Sequence, residues 1–322
     1  MFLLGKVVIS VFFVTCLLEK SVFAQGGYLP IILWHGMGDS CCFSFSLGQI
    51  ETILKDELPG VYIKSIMIGN NEVEDVKNSY FGNLNDQVQK VCDEIKSSRE
   101  FSIGYNAIGF SQGAQLLRAL VQRCDGPPVY NLISLGGQHQ GVYGWPNCAS
   151  LEHKLCDYLR RLLNYGAYTS YLQNHLVQAQ YWHDPLDESK YARRSLFLAE
   201  INNEYEINSD YINRLQSLTK LVLVKFENDT LVQPIATEWF GFYEPGQATV
   251  VQQLQQTRLF KENRLGLQDM YLNQIDFLSV PANHLQFTDE WFVEKIVRKY
   301  LKPPIPKSCV LGAKLCPEEP KS

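Results

Sequence analysis

Residues Ile103-Gly104-Tyr105-Asn106-Ala107-Ile108 run into Gly109-Phe110-Ser111-Gln112-Gly113 and on into Ala114-Gln115-Leu116-Leu117-Arg118-Ala119-Leu120. The stretch reads as a strand, a sharp turn and a helix. A serine on so tight a turn takes up a strained backbone conformation, and the residues two before and two after it must lack bulk to avoid collision. Gly109 and Gly113 meet that need, which makes Ser111 the candidate nucleophile. Five-residue patterns recur by chance, so the weight comes from the apolar run before the turn and the helical run after it. The competing reading is a glycine-flanked turn whose serine only caps the helix.

On the N-terminal side, Leu29-Pro30-Ile31-Ile32-Leu33-Trp34 is a continuous apolar run of the kind buried on both faces of a parallel sheet. It ends in His35-Gly36-Met37-Gly38-Asp39-Ser40, where a strand-to-helix loop would supply one backbone N–H of an oxyanion hole; Met37 is the candidate donor. A histidine at a strand end more often supports a loop by hydrogen bonding, and His35 is read that way. The pattern then predicts a helix over 45–58, a strand over 61–68, a polar loop over 70–80 and a helix over 85–97. On the C-terminal side, Pro127-Pro128 breaks the helix after Ser111, and residues 129–135 form the next strand, closed by Gly136-Gly137.

From about 141 to 217 the rhythm changes. Helical runs over 151–163 and 170–182 are rich in leucine and aromatics and show no strand of the parallel type. Such an insert between core strands can cap a site and build an apolar groove, although any single aromatic more often just covers the sheet. Residues 221–226 resume the sheet and end at Glu227-Asn228-Asp229-Thr230. Residues 276–280 form the last strand, followed by Pro281-Ala282-Asn283-His284-Leu285 and a helix over 289–300. Asp229 stands at the carboxyl end of a late strand, where open α/β sheets bind ligands, and is placed to orient a histidine; a turn-forming aspartate is the alternative. Ser111, Asp229 and His284 follow the chain order of α/β hydrolases. His139, His153, His175 and His183 are rivals for the base, but only His284 follows the final strand. The fold class expected is an α/β hydrolase: a mostly parallel sheet flanked by helices, with a helical insert between core strands.

The 322 residues are 46% apolar and 20% charged, enough for a sizeable core in one large domain or two small ones. Residues 1–24 resemble a secretory signal, with Lys6 before an apolar run and Val22-Phe23-Ala24 as a small-residue cleavage site; the run is too short to span a bilayer comfortably. Its removal takes Lys6, Glu19 and Lys20 and moves the formal charge from −5 to −6, leaving no basic run to suggest nucleic acid and no transmembrane segment. An even number of remaining cysteines behind a signal argues for disulfides in an oxidising compartment. The absence of Cys-x-x-Cys spacing and of a cysteine–histidine cluster argues against a metal, and no cofactor is expected. The hydrolase domain is expected over 25–301, with a tail over 302–322 stapled by Cys309 and Cys316 if they pair.

Several runs are more specific. Trp34-His35-Gly36-Met37-Gly38-Asp39-Ser40-Cys41-Cys42, the stretch Gly104 to Gly113, Gly136-Gly137-Gln138-His139-Gln140-Gly141-Val142, Tyr181-Trp182-His183-Asp184-Pro185 and Glu238-Trp239-Phe240-Gly241-Phe242-Tyr243 resemble the lysosomal palmitoyl-protein thioesterases over roughly residues 28–300. The resemblance implies hydrolysis of palmitoyl and similar long-chain acyl groups from S-acylated cysteines of proteins or peptides. The place implied is the lysosome, reached by the secretory pathway, with secretion as a further destination. It carries the triad onto Ser111, Asp229 and His284, with the N–H groups of Met37 and Gln112 as the oxyanion hole. It places Gln138, Leu163, Leu176, Val177, Trp182, Leu231, Val232 and Tyr243 along an acyl groove. It also pairs Cys41 with Cys42, Cys92 with Cys124, and Cys148 with Cys156. Asn228-Asp229-Thr230 is an N-glycosylation sequon where the family has several, and Ala114 stands where the family has a second glycine. The tail with Cys309 and Cys316 has no counterpart in the family.

Overall fold

The computed structural model describes residues 27–144, 163 and 166–302. The signal segment, the helix predicted over 151–163 apart from Leu163, the Cys148–Cys156 pair and the tail with Cys309 and Cys316 lie outside the described residues. Among the described residues the strands are β1 (Ile31–Trp34), β2 (Ile63–Ser65), β3 (Tyr105–Phe110), β4 (Val129–Leu135), β5 (Lys220–Phe226), β6 (Phe242–Tyr243), β7 (Val251–Gln252) and β8 (Ile275–Val280). Four helices matter most: α1 (Leu47–Glu57), α2 (Glu72–Asn78), α3 (Leu84–Ser97) and α4 (Gln112–Arg123).

Six strands form one sheet in the order β2-β1-β3-β4-β5-β8, every neighbouring pair parallel, and β6 with β7 makes a separate antiparallel ribbon. The central strands are buried along their whole length, which is why they read as unbroken apolar runs. Side chains alternate between the two faces. Ile32 and Trp34 join the apolar layer of α3, α4 and the insert, while Ile31 and Leu33 face the layer of α1 and the C-terminal helix. This is the α/β-hydrolase architecture. The chain steps outward from β1 to β2 and then returns past β1 to β3, so the order reverses between β1 and β3. Ligands bind at such a switch, beyond the carboxyl ends of the strands. The loop 35–40 and Ser111 both stand there.

Three expected elements differ. Residues 70–80, expected as loop, contain helix α2. Asn71 caps it by accepting from the Glu74 N–H at 3.0 Å, and acidic side chains fill its first turn. The helical period is hidden because the residue it buries is an aspartate, Asp75. The helix expected over 170–182 is broken into Ser170–His175 and Val177–Gln180, where Leu176 leaves helical geometry to bridge Phe81. The C-terminal helix begins as α-helix at Asp289–Phe292 and continues π-helical over Val293–Leu301. Two disulfides form as expected: Cys41–Cys42, and Cys92–Cys124, which ties α3 to the end of α4.

Candidate active site

Ser111 stands between β3 and α4 with φ 54° and ψ −121°, a conformation that costs a non-glycine residue of order 1–3 kcal/mol. Its N–H donates to Leu135 O of β4 at 2.7 Å, and its side chain makes no capping bond to α4. The cap reading therefore fails, and the hydroxyl is left partly exposed at the strand end. Both flanking glycines are sterically required. A Cβ on Gly109 would lie 2.3 Å from Ala114 Cα, and one on Gly113 would lie 2.2 Å from Trp34 O. The methyl of Ala114 is accommodated in turn because Gly137 opposite has none; a Cβ there would meet it at 2.8 Å.

Asp229 and His284 meet beyond the ends of β5 and β8. Asp229 Oδ2 accepts from His284 Nδ1, while Oδ1 accepts the N–H groups of Leu231 and Val232 at 2.7 and 2.8 Å. Both readings of Asp229 hold, one oxygen to each. Burial opposes charge on Asp229, but the bonds from His284 and Glu238 outweigh it and keep the carboxyl below its ordinary range. His284 stands over Gly136, the residue after the Ser111 anchor Leu135; a Cβ on Gly136 would lie 3.0 Å from His284 Cε1. His284, from the loop after β8, thus reaches over the end of β4, the strand beside the one that leads into Ser111, but the structure forms no hydrogen bond between Ser111 and His284. Apo catalytic contacts are often long and tighten on the substrate. Asp229, Glu238 and His284 are the one set of metal-capable donors grouped within 4.8 Å among the described residues. Most of their atoms already have partners within the protein: His284 Nδ1 bonds Asp229, Asp229 Oδ1 bonds the turn, and Glu238 Oε2 accepts from Phe226 N–H at 2.7 Å.

The loop carrying Met37 is held by Asp75, fully buried on α2. Asp75 accepts from His35 Nε2 at 3.0 Å, Ser40 Oγ at 3.0 Å, Cys41 N at 2.9 Å and Ile68 N at 2.7 Å. His35 supports the loop as expected, its Nδ1 donating to Gly36 O at 2.8 Å. The Met37 and Gln112 N–H groups donate to no backbone carbonyl among the described residues. Tyr181, which the sequence reading left among the aromatics of the insert, links these two positions. Its hydroxyl donates to Gln112 Oε1 at 3.1 Å and stands 4.0 Å from Met37 Sδ. In the sequence it opens the run Tyr181-Trp182-His183-Asp184-Pro185, with nothing to mark its hydroxyl.

The residues expected along an acyl groove divide. Leu163, Leu176, Val177 and Trp182 lie in the buried apolar cluster, against which Met37, Val142 and Tyr143 pack. Gln138 is buried with them, and no donor among the described residues reaches its Oε1. Leu231 and Val232 sit on the Asp229 turn, and Tyr243 lies on the ribbon. Tyr143 joins the groups, with ring centroids 5.2 Å from Trp182 and 6.2 Å from Tyr243.

The rival histidines are engaged elsewhere. His139 is buried against Phe240 with Nε2 on Ser134 Oγ at 2.8 Å, and His183 spends both nitrogens on Gln140 O and Glu188. His175 is bound to Tyr171 O within its own helix, and His153 lies outside the described residues. Asn228 is exposed, one residue from Asp229. No helix among the described residues is long and apolar enough to cross a membrane.

Comparison with known proteins shows the family. Palmitoyl-protein thioesterase 1 of Caenorhabditis elegans is 45% identical over 273 residues, 84% of this chain and 91% of that protein. Palmitoyl-protein thioesterase 3 of Dictyostelium discoideum is 32% identical over 257 residues, 79% and 84% of the two chains. Lysosomal thioesterase PPT2 of Rattus norvegicus is 27% identical over 256 residues, 76% and 78%. The family model described as palmitoyl protein thioesterase matches residues 30–284, spanning the elbow, the aspartate and the histidine, and the chain belongs to that family.

Proposed function

We propose that the protein hydrolyses the thioester that joins palmitoyl and similar long-chain acyl groups to cysteines of proteins or peptides, acting in the lysosome. The observation that carries this reading is a strained and partly exposed Ser111 at the carboxyl end of the sheet, with the hydrogen-bonded Asp229–His284 pair at that same end, in a chain of this family. Ser111 Oγ attacks the carbonyl carbon as His284 Nε2 takes its proton, while Asp229 holds Nδ1–H and so fixes the tautomer. The N–H groups of Met37 and Gln112 receive the oxyanion, a contribution of about 3 kcal/mol per donor. Collapse breaks the C–S bond and expels a cysteine thiolate. A thiol of pKa about 8.5 leaves with little protonation. Once His284 has passed the first proton to the departing thiolate, water gives a proton to His284 and opens the acyl-serine; His284 returns that proton to Ser111 Oγ as the fatty acid leaves. Leu163, Leu176, Val177 and Trp182 supply the apolar contact for the chain, where each buried CH2 contributes about 0.8 kcal/mol. Glycan attachment at Asn228 belongs to the same reading, as does the supply of S-acylated proteins as partners.

The test is to incubate the protein and Ser111→Ala with matched S-palmitoyl and O-palmitoyl substrates. Thioester cleavage that falls by about 10^5-fold or more in the variant is the expected result. Preference for the oxygen ester would make the protein a lipase or carboxylesterase, and turnover of neither would make it a lipid or partner binder.

A further inference from the structure

Glu238 is a carboxyl group that the mechanism above does not use, and it is fully buried. It lies in the 3-10 turn Ile235–Trp239, packed on β5 and on the Gln138–Gln140 loop; Gln140 N donates to Thr237 Oγ1 at 2.8 Å. Glu238 Oε2 accepts from Phe226 N–H at 2.7 Å, but no donor among the described residues reaches Oε1. One carboxyl oxygen of Glu238, one of Asp229 and a ring nitrogen of His284 lie within 4.8 Å of one another. Two bare carboxylates so close in a dry interior repel strongly, and one proton shared between them removes the conflict. Asp229 is the group already served by two backbone N–H donors and an imidazole, so the proton belongs on Glu238.

We propose that Glu238 is a positioning residue that stays protonated and donates its O–H to Asp229, forming the fourth member of a Ser111–His284–Asp229–Glu238 chain. Burial first, and Asp229 second, push the Glu238 carboxyl up to about 10, in line with that assignment. The other titratable groups around it do not change the outcome. The cation that bears on it is Lys225 of β5, which turns its ammonium over the Trp239 ring at 3.9 Å; His139, from the loop after β4, is stacked on Phe240 and bound to Ser134. By spreading the Asp229 charge over one more donor, Glu238 limits how strongly Asp229 holds a proton on His284. The base is then kept available in acid, where the proposed thioesterase works.

The inference rests on that functional reading only for its kinetic arm. The first measurement is infrared difference spectroscopy of wild type and Glu238→Gln at neutral pH. The carbonyl stretch of a protonated carboxylic acid is expected in wild type and missing from the variant; its absence from wild type overturns the proposal. The second is the pH profile of kcat/KM for an S-palmitoyl peptide. Glu238→Ala should move the acid limb up by about one pH unit, so that activity below the limb falls about tenfold further than on the plateau. Glu238→Gln, whose amide N–H can still donate to Asp229, should leave the limb in place. A uniform loss at every pH in Glu238→Ala would reduce Glu238 to a packing residue. If wild type turns over no thioester, the functional reading fails, and the infrared band still decides the role of Glu238.

Discussion

His35 with Asp75, and His284 with Asp229, are the same two side chains brought together at the same edge of one sheet. Their surroundings separate them. Both ring nitrogens of His35 face oxygen acceptors, Gly36 O and Asp75 Oδ1, so only the doubly protonated imidazole satisfies the site. Burial alone would strip that proton, but the Asp75 bond and charge outweigh it and raise the His35 pKa above the ordinary value. His284 spends Nδ1 on Asp229 and bonds nothing through Nε2 among the described residues, which leaves a nitrogen free to take a proton and return it. A histidine–aspartate pair becomes a structural clamp when every donor and acceptor is committed, and a proton relay when one atom is left over.

Exchanging the carboxylates for amides breaks the comparison most sharply. Asp229→Asn should lower kcat/KM by about 10^4-fold, because the amide favours the wrong tautomer of His284. Its carbonyl can still accept from Leu231 and Val232, so thermal unfolding should stay near wild type; a large drop in Tm would mean that Asp229 is mainly structural. Asp75→Asn should do the reverse. Removing one partner of a buried pair costs about 3–5 kcal/mol, read as a lower denaturant midpoint, while the shape of the kcat/KM–pH profile is kept. A displaced profile would place Asp75 in the proton chemistry.

The smallest effect concerns stability against pH. Burial works against the charge on Asp75, but its bonds and the attraction of His35 hold its pKa below the ordinary range. Its contribution is present above the ordinary carboxylate value of about 4 and is lost as pH falls through the lowered value. The contribution of His35 is present below about 6.5 and is lost as pH rises through its raised value. The clamp is therefore complete in mildly acidic solution. Wild type should melt higher at pH 5 than at pH 8, and this margin should shrink in a His35→Gln, Asp75→Asn double variant. An unchanged margin would show that other groups set it.

The elbow was legible because its requirement is local: Gly109, Ser111 and Gly113 carry their steric reason within five residues. Asp229 and His284 were legible from their places after strands in an ordered series. The clamp was not. Asp75 looks like one more acid in a polar stretch, and its burial becomes visible only when α2 is packed against the loop after β1. Glu238 heads an aromatic run, where a lone acid reads as a surface group. Tyr181 was masked in the same way, since its hydroxyl finds Gln112 only after the insert folds over the sheet. The break at Leu176 depends on Phe81, almost a hundred residues earlier. The acyl-groove residues came from the resemblance, because leucine and tryptophan at helical spacing look the same whether they line a groove or fill a core.

The two oxygens of Asp229 have separate employers. Since the turn through Val232 grips one of them, the other is already aimed before any imidazole arrives. The segment bearing His284 is laced to that same turn, since Asn228 N–H donates to Ala282 O at 3.1 Å and Thr230 N–H to Asn283 Oδ1 at 3.0 Å. Acid and base therefore travel as one unit, and a graft that reshapes the substrate entrance has to carry both loops together.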